Sequence, residues 1–349
     1  MSICVENFGT FSQRLTDNLF TVRHPLSGTL ELTFRCNFKC VHCYLRGRQA
    51  PEMEPDAICR LLDELAEAGC LGLALTGGEP LLRPDFKAIY RAAIQRGFLV
   101  ALFTNGSLID DDLADFLAAN PPRSVEISLY GGDERSYLAV TGSGKNFQRV
   151  LSGLDRLLER DIQVMLKALL LRPLAGQVDN IRALGRSRGL DVRLDPGLDL
   201  TLLGDKTPWK LRMDPYEAVR LELDDPKRLE KMIGYDSEWQ KRGTGRVDSS
   251  CGAGFSSFNI DPAGRLSPCL MMREPSVDIT GSGFIHGWQQ LGITGRPVYD
   301  SVCSRCKLEH LCSYCPGLAQ LGDKPPADGD YYHCRVARAR AELIRREVA

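Results

Sequence analysis

Three cysteines stand close together in Cys36-Asn-Phe-Lys-Cys40-Val-His-Cys43, a C-x3-C-x2-C spacing that directly follows the apolar run Thr29 to Phe34. Thiolates this close on one loop can hold one face of an iron–sulfur cube. Because a 4Fe–4S cluster normally takes four cysteines, three leave one iron open to an outside ligand. Zinc is the competing chemistry. His42 offers a fourth donor, but zinc sites typically pair C-x2-4-C with a distant second pair. A second group comprises Cys251, Cys269, Cys303, Cys306, Cys312, Cys315 and Cys334, with C-x2-C pairs at 303/306 and 312/315. Two such pairs suit either further clusters or zinc. Cys4, Cys59 and Cys70 have no partner at ligand spacing and read as small buried hydrophobes.

Other polar residues fall at matching places. Thr76-Gly77-Gly78-Glu79-Pro80 follows a second apolar run, and its glycines let the backbone lie close to a ligand. Thr104-Asn105-Gly106 closes a third run and Ser128 a fourth. Alone, each of these is an ordinary turn. Lys167 and Asp195, on a fifth run and after a sixth, suit a binding role or a structural ion pair and cap equally well.

The elements that must position these residues alternate. Strands are expected at Thr29 to Phe34, Leu71 to Leu75, Phe98 to Thr104, Ser124 to Leu129, Ile162 to Leu171 and Leu190 to Leu194, with helices near 54–69, 84–96, 110–119, 146–160 and 176–188. Such alternation implies a parallel α/β sheet with right-handed crossovers. Periodicity fits a doubly wound sheet or a partial barrel, and both place a site at the C-terminal strand ends. The expected organisation is an extension at 1–28, an α/β domain at 29–195, a bridge at 196–250 with one amphipathic stretch from Pro215 to Leu223, and a cysteine-rich domain at 251–349. The last of these ends in a helix from Arg335 to Glu347, whose arginines at 335, 338, 340, 345 and 346 read as a solvated face.

Composition narrows the function classes. With 44 Lys+Arg against 45 Asp+Glu, the formal charge of -1 gives no bulk reason for a nucleic-acid partner. No apolar run is long enough to span a bilayer and no signal peptide precedes the first element, so a cytoplasmic protein without a membrane partner is expected. In a reducing compartment thirteen cysteines point to metal ligands rather than disulfides.

The first cysteine loop resembles the radical S-adenosylmethionine (SAM) superfamily, whose signature is C-x3-C-x-(aromatic)-C after the first barrel strand; His42 takes the aromatic position. The resemblance implies a partial (β/α)6 TIM-like barrel. It further implies a cluster on Cys36, Cys40 and Cys43 whose open iron chelates SAM, and reductive cleavage of SAM to a 5'-deoxyadenosyl radical that abstracts hydrogen from substrate. Gly77, Gly78 and Glu79 are similar to the family's GGE motif at the methionine group, and Thr104, Asn105 and Ser128 to positions that contact ribose or carboxylate.

The C-terminal cysteines resemble the SPASM domain, which usually carries two auxiliary 4Fe–4S clusters. Two residues, Ser313 and Tyr314, separate Cys312 from Cys315 where that pattern commonly has three. Carried across, the family topology puts Cys303, Cys306, Cys312 and Cys334 on one cluster and Cys251, Cys269 and Cys315 on the other. The second cluster then keeps an open iron for substrate, water or a side chain such as Asp261. Three clusters are expected in all.

Together the resemblances imply modification of a ribosomally made peptide or protein, by crosslinking, epimerisation or oxidation. They imply an electron donor such as flavodoxin or ferredoxin and, where the peptide carries a leader, its recognition by a separate protein or by the bridge at 196–250. Radical chemistry on a small metabolite is the alternative reading. A non-catalytic iron–sulfur or zinc protein is a third, and it would have no use for the Gly77 to Glu79 and Asn105 features.

Overall fold

The computed structural model describes residues 23–242, 251–293, 303–322, 325 and 331–348, so Cys4 and most of the expected N-terminal extension lie outside the described residues. Six strands occur where the apolar runs predict them: β1 (Ser27–Thr33), β2 (Gly72–Gly77), β3 (Leu99–Thr104), β4 (Ser124–Ser128), β5 (Val164–Leu169) and β6 (Val192–Asp195). Each pairs in parallel with the next. The helices between them are α1 (Pro55–Glu67), α2 (Phe86–Gln95), α3 (Asp111–Ala119), α4 (Glu134–Thr141), α5 (Asn146–Leu158) and α6 (Val178–Arg186).

The order of the strands decides between the two architectures. A doubly wound sheet reverses direction at a switch point, whereas this sheet runs β6-β5-β4-β3-β2-β1 without reversal. Right-handed crossovers then place every helix on the same face, and the other face curls inward as a partial barrel. Strand alternation gives each face its chemistry. Leu30, Leu32, Leu73, Leu75, Val100, Leu102, Val125, Ile127 and Leu166 share one core with the helix residues Ile58, Leu62, Ile89 and Val150. The alternate positions Glu31, Thr76, Phe103, Glu126, Ser128, Lys167, Arg193 and Asp195 line the concave face.

Four features depart from the sequence expectations. The helix α4 was not anticipated, although Asp133 and Ser136 form a capping box at its start and Gly142 ends it at φ 74°. In the bridge, α7 (Pro215–Leu223) is followed by α8 (Pro226–Arg242). Pro226 starts this helix rather than interrupting the chain, behind an Asp225 carboxylate that accepts from the N–H groups of Lys227 and Arg228. Past residue 250, β7 (Ser257–Ile260) pairs in parallel with β1, and β8 (Arg265–Ser267) and β9 (Val277–Asp278) extend the same sheet. The sheet therefore runs unbroken from the barrel into the cysteine-rich segment. That segment also contains α9 (Phe284–Gln290), α10 (Pro316–Gln320) and α11 (Tyr332–Val348).

The fourth departure is on α11. Arg340 leaves the solvated arginine face, being only 7% exposed, and forms a paired-nitrogen ion pair with Glu222 of α7. Among the described residues no helix is long and apolar enough to cross a membrane.

The junction of β1 and β7 explains Gly28. A Cβ there would stand 2.1 Å from the ring of Phe258, which is buried against Phe284 and Trp288 and has no room to yield. Gly28→Ala is therefore expected to destabilise the protein by about 1–3 kcal/mol through overpacking, measured by chemical denaturation. Phe258→Leu in the same chain should restore part of that loss; a Gly28→Ala protein as stable as wild type would show that this docking is looser than described.

Candidate functional site

At the C-terminal strand ends the chain folds back on itself. The N–H of Gly78 donates to Thr33 O at 2.8 Å and that of Glu79 to Arg35 O at 2.8 Å. The glycines are required sterically. Gly77 has φ 128° and its Cβ would lie 2.1 Å from Thr33 O, while that of Gly78 would lie 2.2 Å from Arg35 O.

Glu79 is fully buried. Its Oε1 accepts from Thr104 Oγ1 at 2.7 Å and from the Leu81 N–H at 3.1 Å, and its Oε2 accepts from the Asn105 N–H at 2.7 Å. Burial pushes its carboxyl up to about 7, against the pull of those three donors. Glu79 thus lies behind the site as a tie between β2 and β3, rather than among the residues that line it.

The tie continues into the cysteine loop. The Asn105 amide nitrogen donates to Asn37 Oδ1 at 2.8 Å, and the Asn37 amide nitrogen donates to Ser107 Oγ at 2.9 Å. On the other side, the N–H groups of Lys39 and Val41 donate to Thr141 O and Val140 O, both at 2.9 Å, so the end of α4 carries the loop. Phe38 meets Tyr137 edge-on at 6.1 Å and the His42 ring lies 4.7 Å from that of Tyr130. Burial, with help from Arg46, depresses His42 to about 4, which keeps the imidazole neutral.

Cys36, Cys40 and Cys43 line one cavity of about 430 Å³ together with Thr76, Gly77, Gly78, Thr104, Asn105, Ser128, Lys167 and Asp195. Burial raises the Cys36 thiol to about 11 and the other two thiols as well. Such thiols become thiolates readily only beside a strong positive charge, which a bound metal supplies. The Phe38 N–H points at the Cys36 sulfur at 3.4 Å. The donor set and the space fit a cluster with a ligand beside it. Lys167 is paired with Glu126 and lies over the Phe103 ring, and Asp195 accepts from the Gly197 N–H at 2.8 Å. Both therefore do the structural work that competed with a binding role, while still facing the cavity.

Sequence reasoning missed the opposite wall. Leu270 and Met271, directly after Cys269, close the cavity against the barrel strands. A buried ion pair holds them there: Arg273 meets Glu31 of β1 at 2.6 Å, and its Nε donates to Leu270 O at 2.7 Å. Asn259 also donates to Glu31, at 3.2 Å. The only available signal was their position beside a ligand-spaced cysteine. Asn37 and Ser107 were missed too, although Asn37 stands inside the loop itself.

The remaining cysteines fall into two groups. Cys303, Cys306, Cys312 and Cys334 line a smaller cavity of about 120 Å³. Cys269 lies within electrostatic reach of Cys251, as does Cys315 of Cys269; burial comes first among the causes that raise both thiols. Asp261 is occupied elsewhere, with Oδ1 accepting from the N–H groups of Ala263 and Arg265 at 3.0 Å. Among the described residues no three His, Cys, Asp or Glu side chains converge on a point that would hold a single metal ion; the cysteines surround volumes instead. Cys70 is buried, and Cys59 packs half-buried on the core.

The family model for the radical SAM superfamily matches residues 30–174, which contain the first cysteine loop and the polar ends of β2 to β5. This chain has a radical SAM domain. Enzymes with this domain cleave SAM reductively, and the domain implies SAM and a 4Fe–4S cluster.

Among curated relatives, the AdoMet-dependent heme synthase of Methanosarcina barkeri is 24% identical over 86% of this chain and 92% of its own length. The probable GTP 3',8-cyclase of Methanosarcina mazei is 27% identical over 72% and 80%. The mycofactocin maturase MftC of Mycobacterium tuberculosis is 28% identical over 92% and 85%. Two solved structures share the fold. Streptococcus suis SuiB bound to its precursor peptide SuiA has TM-score 0.70 and 17% identity over 95% of this chain and 82% of that one. Native anSMEcpe with bound AdoMet has TM-score 0.70 and 17% identity over 92% and 98%.

Glu79 generates a pH prediction for the radical SAM domain. Its folded pKa lies above the value near 4.5 of an exposed carboxyl, so its contribution to stability is full below about 4.5 and is lost as pH rises through about 7. The stability difference between wild type and Glu79→Gln is expected to shrink across that window. Thermal melts of both proteins at pH 4.5 and 7.5 check it, and a difference that grows with pH would contradict the assignment.

Proposed function

We propose that Cys36, Cys40 and Cys43 hold the catalytic 4Fe–4S cluster, that SAM binds its open iron, and that the enzyme modifies a side chain or backbone position of a ribosomally made peptide. When bound, this pair supplies a 5'-deoxyadenosyl radical. The chain's own residues do the rest. Gly77 and Gly78 present bare backbone to the methionine group, Asn105 and Ser128 face the cofactor, and Thr104 with Glu79 holds those strand ends still.

The observation that carries the reading is one cavity lined at once by the three thiols, by the polar strand ends and by Leu270 and Met271 of the C-terminal segment. Such a wall excludes water from a reactive intermediate. It also brings the Cys251, Cys269 and Cys315 group close to where substrate would sit. We assign that group to an auxiliary cluster with an open iron, and Cys303, Cys306, Cys312 and Cys334 to a closed one, in a SPASM domain from 251 onward. The precursor peptide in the SuiB structure and the full-length likeness to MftC support a peptide substrate. A flavodoxin or ferredoxin would supply the electron in the cytoplasm, and a separate protein would recognise the leader.

The heme synthase and GTP cyclase likenesses favour a second reading, a small metabolite as substrate. Turnover of a free small molecule without any peptide would select it.

Anaerobically reconstituted protein is expected to bind about twelve irons, as three 4Fe–4S clusters require; about four irons, or stoichiometric zinc, would remove the auxiliary assignment. Replacing Cys36, Cys40 and Cys43 together by Ala should abolish 5'-deoxyadenosine formation and remove about a third of the iron. Cys315→Ala should keep slow abortive cleavage of SAM while losing modified product, with both quantified in one assay.

A further inference from the structure

Beside the cavity already described lies a second one, of about 390 Å³, lined by β6, α7, α8, α11 and the segment 310–313 and open to solvent on the side of Arg193 and Lys231, which are both exposed. That volume is within the range of sites that take a small ligand or a side-chain group, roughly 300–1,000 Å³. Its charged lining is Arg193, Arg228, Lys231 and Arg340 against Asp195 and Glu222.

The two carboxylates do not balance the four cations. Glu222 is buried and is shared by two of them: Arg340 donates to both its oxygens, at 2.9 and 3.1 Å, and Arg228 to Oε1 at 2.9 Å. Asp195 turns Oδ1 to the Gly197 N–H. Among the described residues neither the Arg193 nor the Lys231 side chain has a hydrogen-bond or ion-pair partner. Positive charge in a concave site attracts and orients an anion more strongly than the same charge on an open surface.

The cavity is also connected to the chemistry. Arg193 and Asp195, two residues apart on β6 and so on one face of it, line both cavities. The two cavities therefore adjoin at β6, and a group held in the smaller one lies next to a molecule in the larger.

We propose that this second cavity is an anion subsite of the substrate-binding region, which holds a carboxylate of the peptide between Arg193, Lys231 and Arg228. The proposal rests on the reading of the larger cavity as the place where a peptide meets SAM. It adds a sequence requirement to that reading: the peptide carries an acidic group close to the modified residue. Carboxylate recognition by guanidinium is directional and charge-assisted, so the subsite would also fix which residue faces the radical.

Dansyl-labelled tetraglutamate amide, tetraglutamine amide and tetraglutamine with a free C-terminus are the probes, titrated into reconstituted enzyme and followed by fluorescence anisotropy. Tetraglutamate amide should bind, tetraglutamine amide should not, and binding by the free-terminus peptide alone would assign the carboxylate to the chain end. Arg193→Gln with Lys231→Gln should weaken acidic-peptide binding at least tenfold. Lys231→Glu, at an exposed position that tolerates any polar residue, should do at least as much should the double variant fail to fold.

Equal binding of the neutral amide, or unchanged binding in both variants, would overturn the proposal. Displacement of tetraglutamate by inorganic phosphate at concentrations where acetate has no effect would overturn it in favour of a phosphate site. Loss of reduction by flavodoxin in the variants, with peptide binding intact, would overturn it in favour of an electron-donor contact. Formation of 5'-deoxyadenosine by the same wild-type preparation is measured in parallel. Cleavage without acidic-peptide binding defeats only the subsite, whereas absence of cleavage defeats the underlying reading.

Discussion

The buried carboxylate of Glu79 is the interaction on which the arrangement of the site depends. Three donors from two strand ends converge on it, and one of them, the Asn105 N–H, belongs to the residue whose side chain holds Asn37 in the cysteine loop. A carboxylate withdrawn from water is costly unless its lone pairs are used. The upward push on its pKa is the visible part of that cost. In return, β2, β3 and the loop after β1 are tied together by one hydrogen-bonded network. The glycines before Glu79 serve the same purpose by letting the backbone pass within hydrogen-bonding distance of Thr33 and Arg35.

The second constraint is the continuity of the sheet. The β7 strand joins β1 in parallel, and the Phe258 ring fills the space that Gly28 leaves empty. Through Arg273 and Glu31 the loop after Cys269 is fastened to the inner face of the same strand. Removing either partner of such a buried pair leaves an uncompensated charge, so the contact is specific as well as close. The cavity is consequently a joint product of the barrel and the cysteine-rich segment, and its wall at Leu270 and Met271 is set by the same strand that presents the first cysteines.

Around the C-terminal half, α7, α8 and α11 form a helical layer over the end of β6. Arg340 and Glu222 bind two of these helices together in its interior. An arginine that the helix pattern assigned to solvent is thus part of the packing, because its partner lies over a hundred residues earlier and no local period reveals it.

What the sequence determined by itself is what depends on local spacing. The three thiols at C-x3-C-x2-C, the glycine pair before Glu79 and the alternation of six apolar runs with helical stretches are all contained in short windows, and the six β/α strands are found there. The helix α4 was legible as well, from Asp133, Ser136 and Gly142, but its eight residues are too few for a period to stand out. Local spacing left the rest open; the family resemblance implied the partial barrel and the grouping of Cys303, Cys306, Cys312 and Cys334, and tertiary structure decided them. The choice of barrel over doubly wound sheet followed from strand order, which hydrogen bonding between distant segments sets. The grouping of Cys303, Cys306, Cys312 and Cys334 around one cavity, and the facing of Arg193 and Asp195 into two, join residues from separate elements. Spacing along the chain carries chemistry only as far as one loop reaches; beyond that, burial and pairing between elements decide which side chains meet.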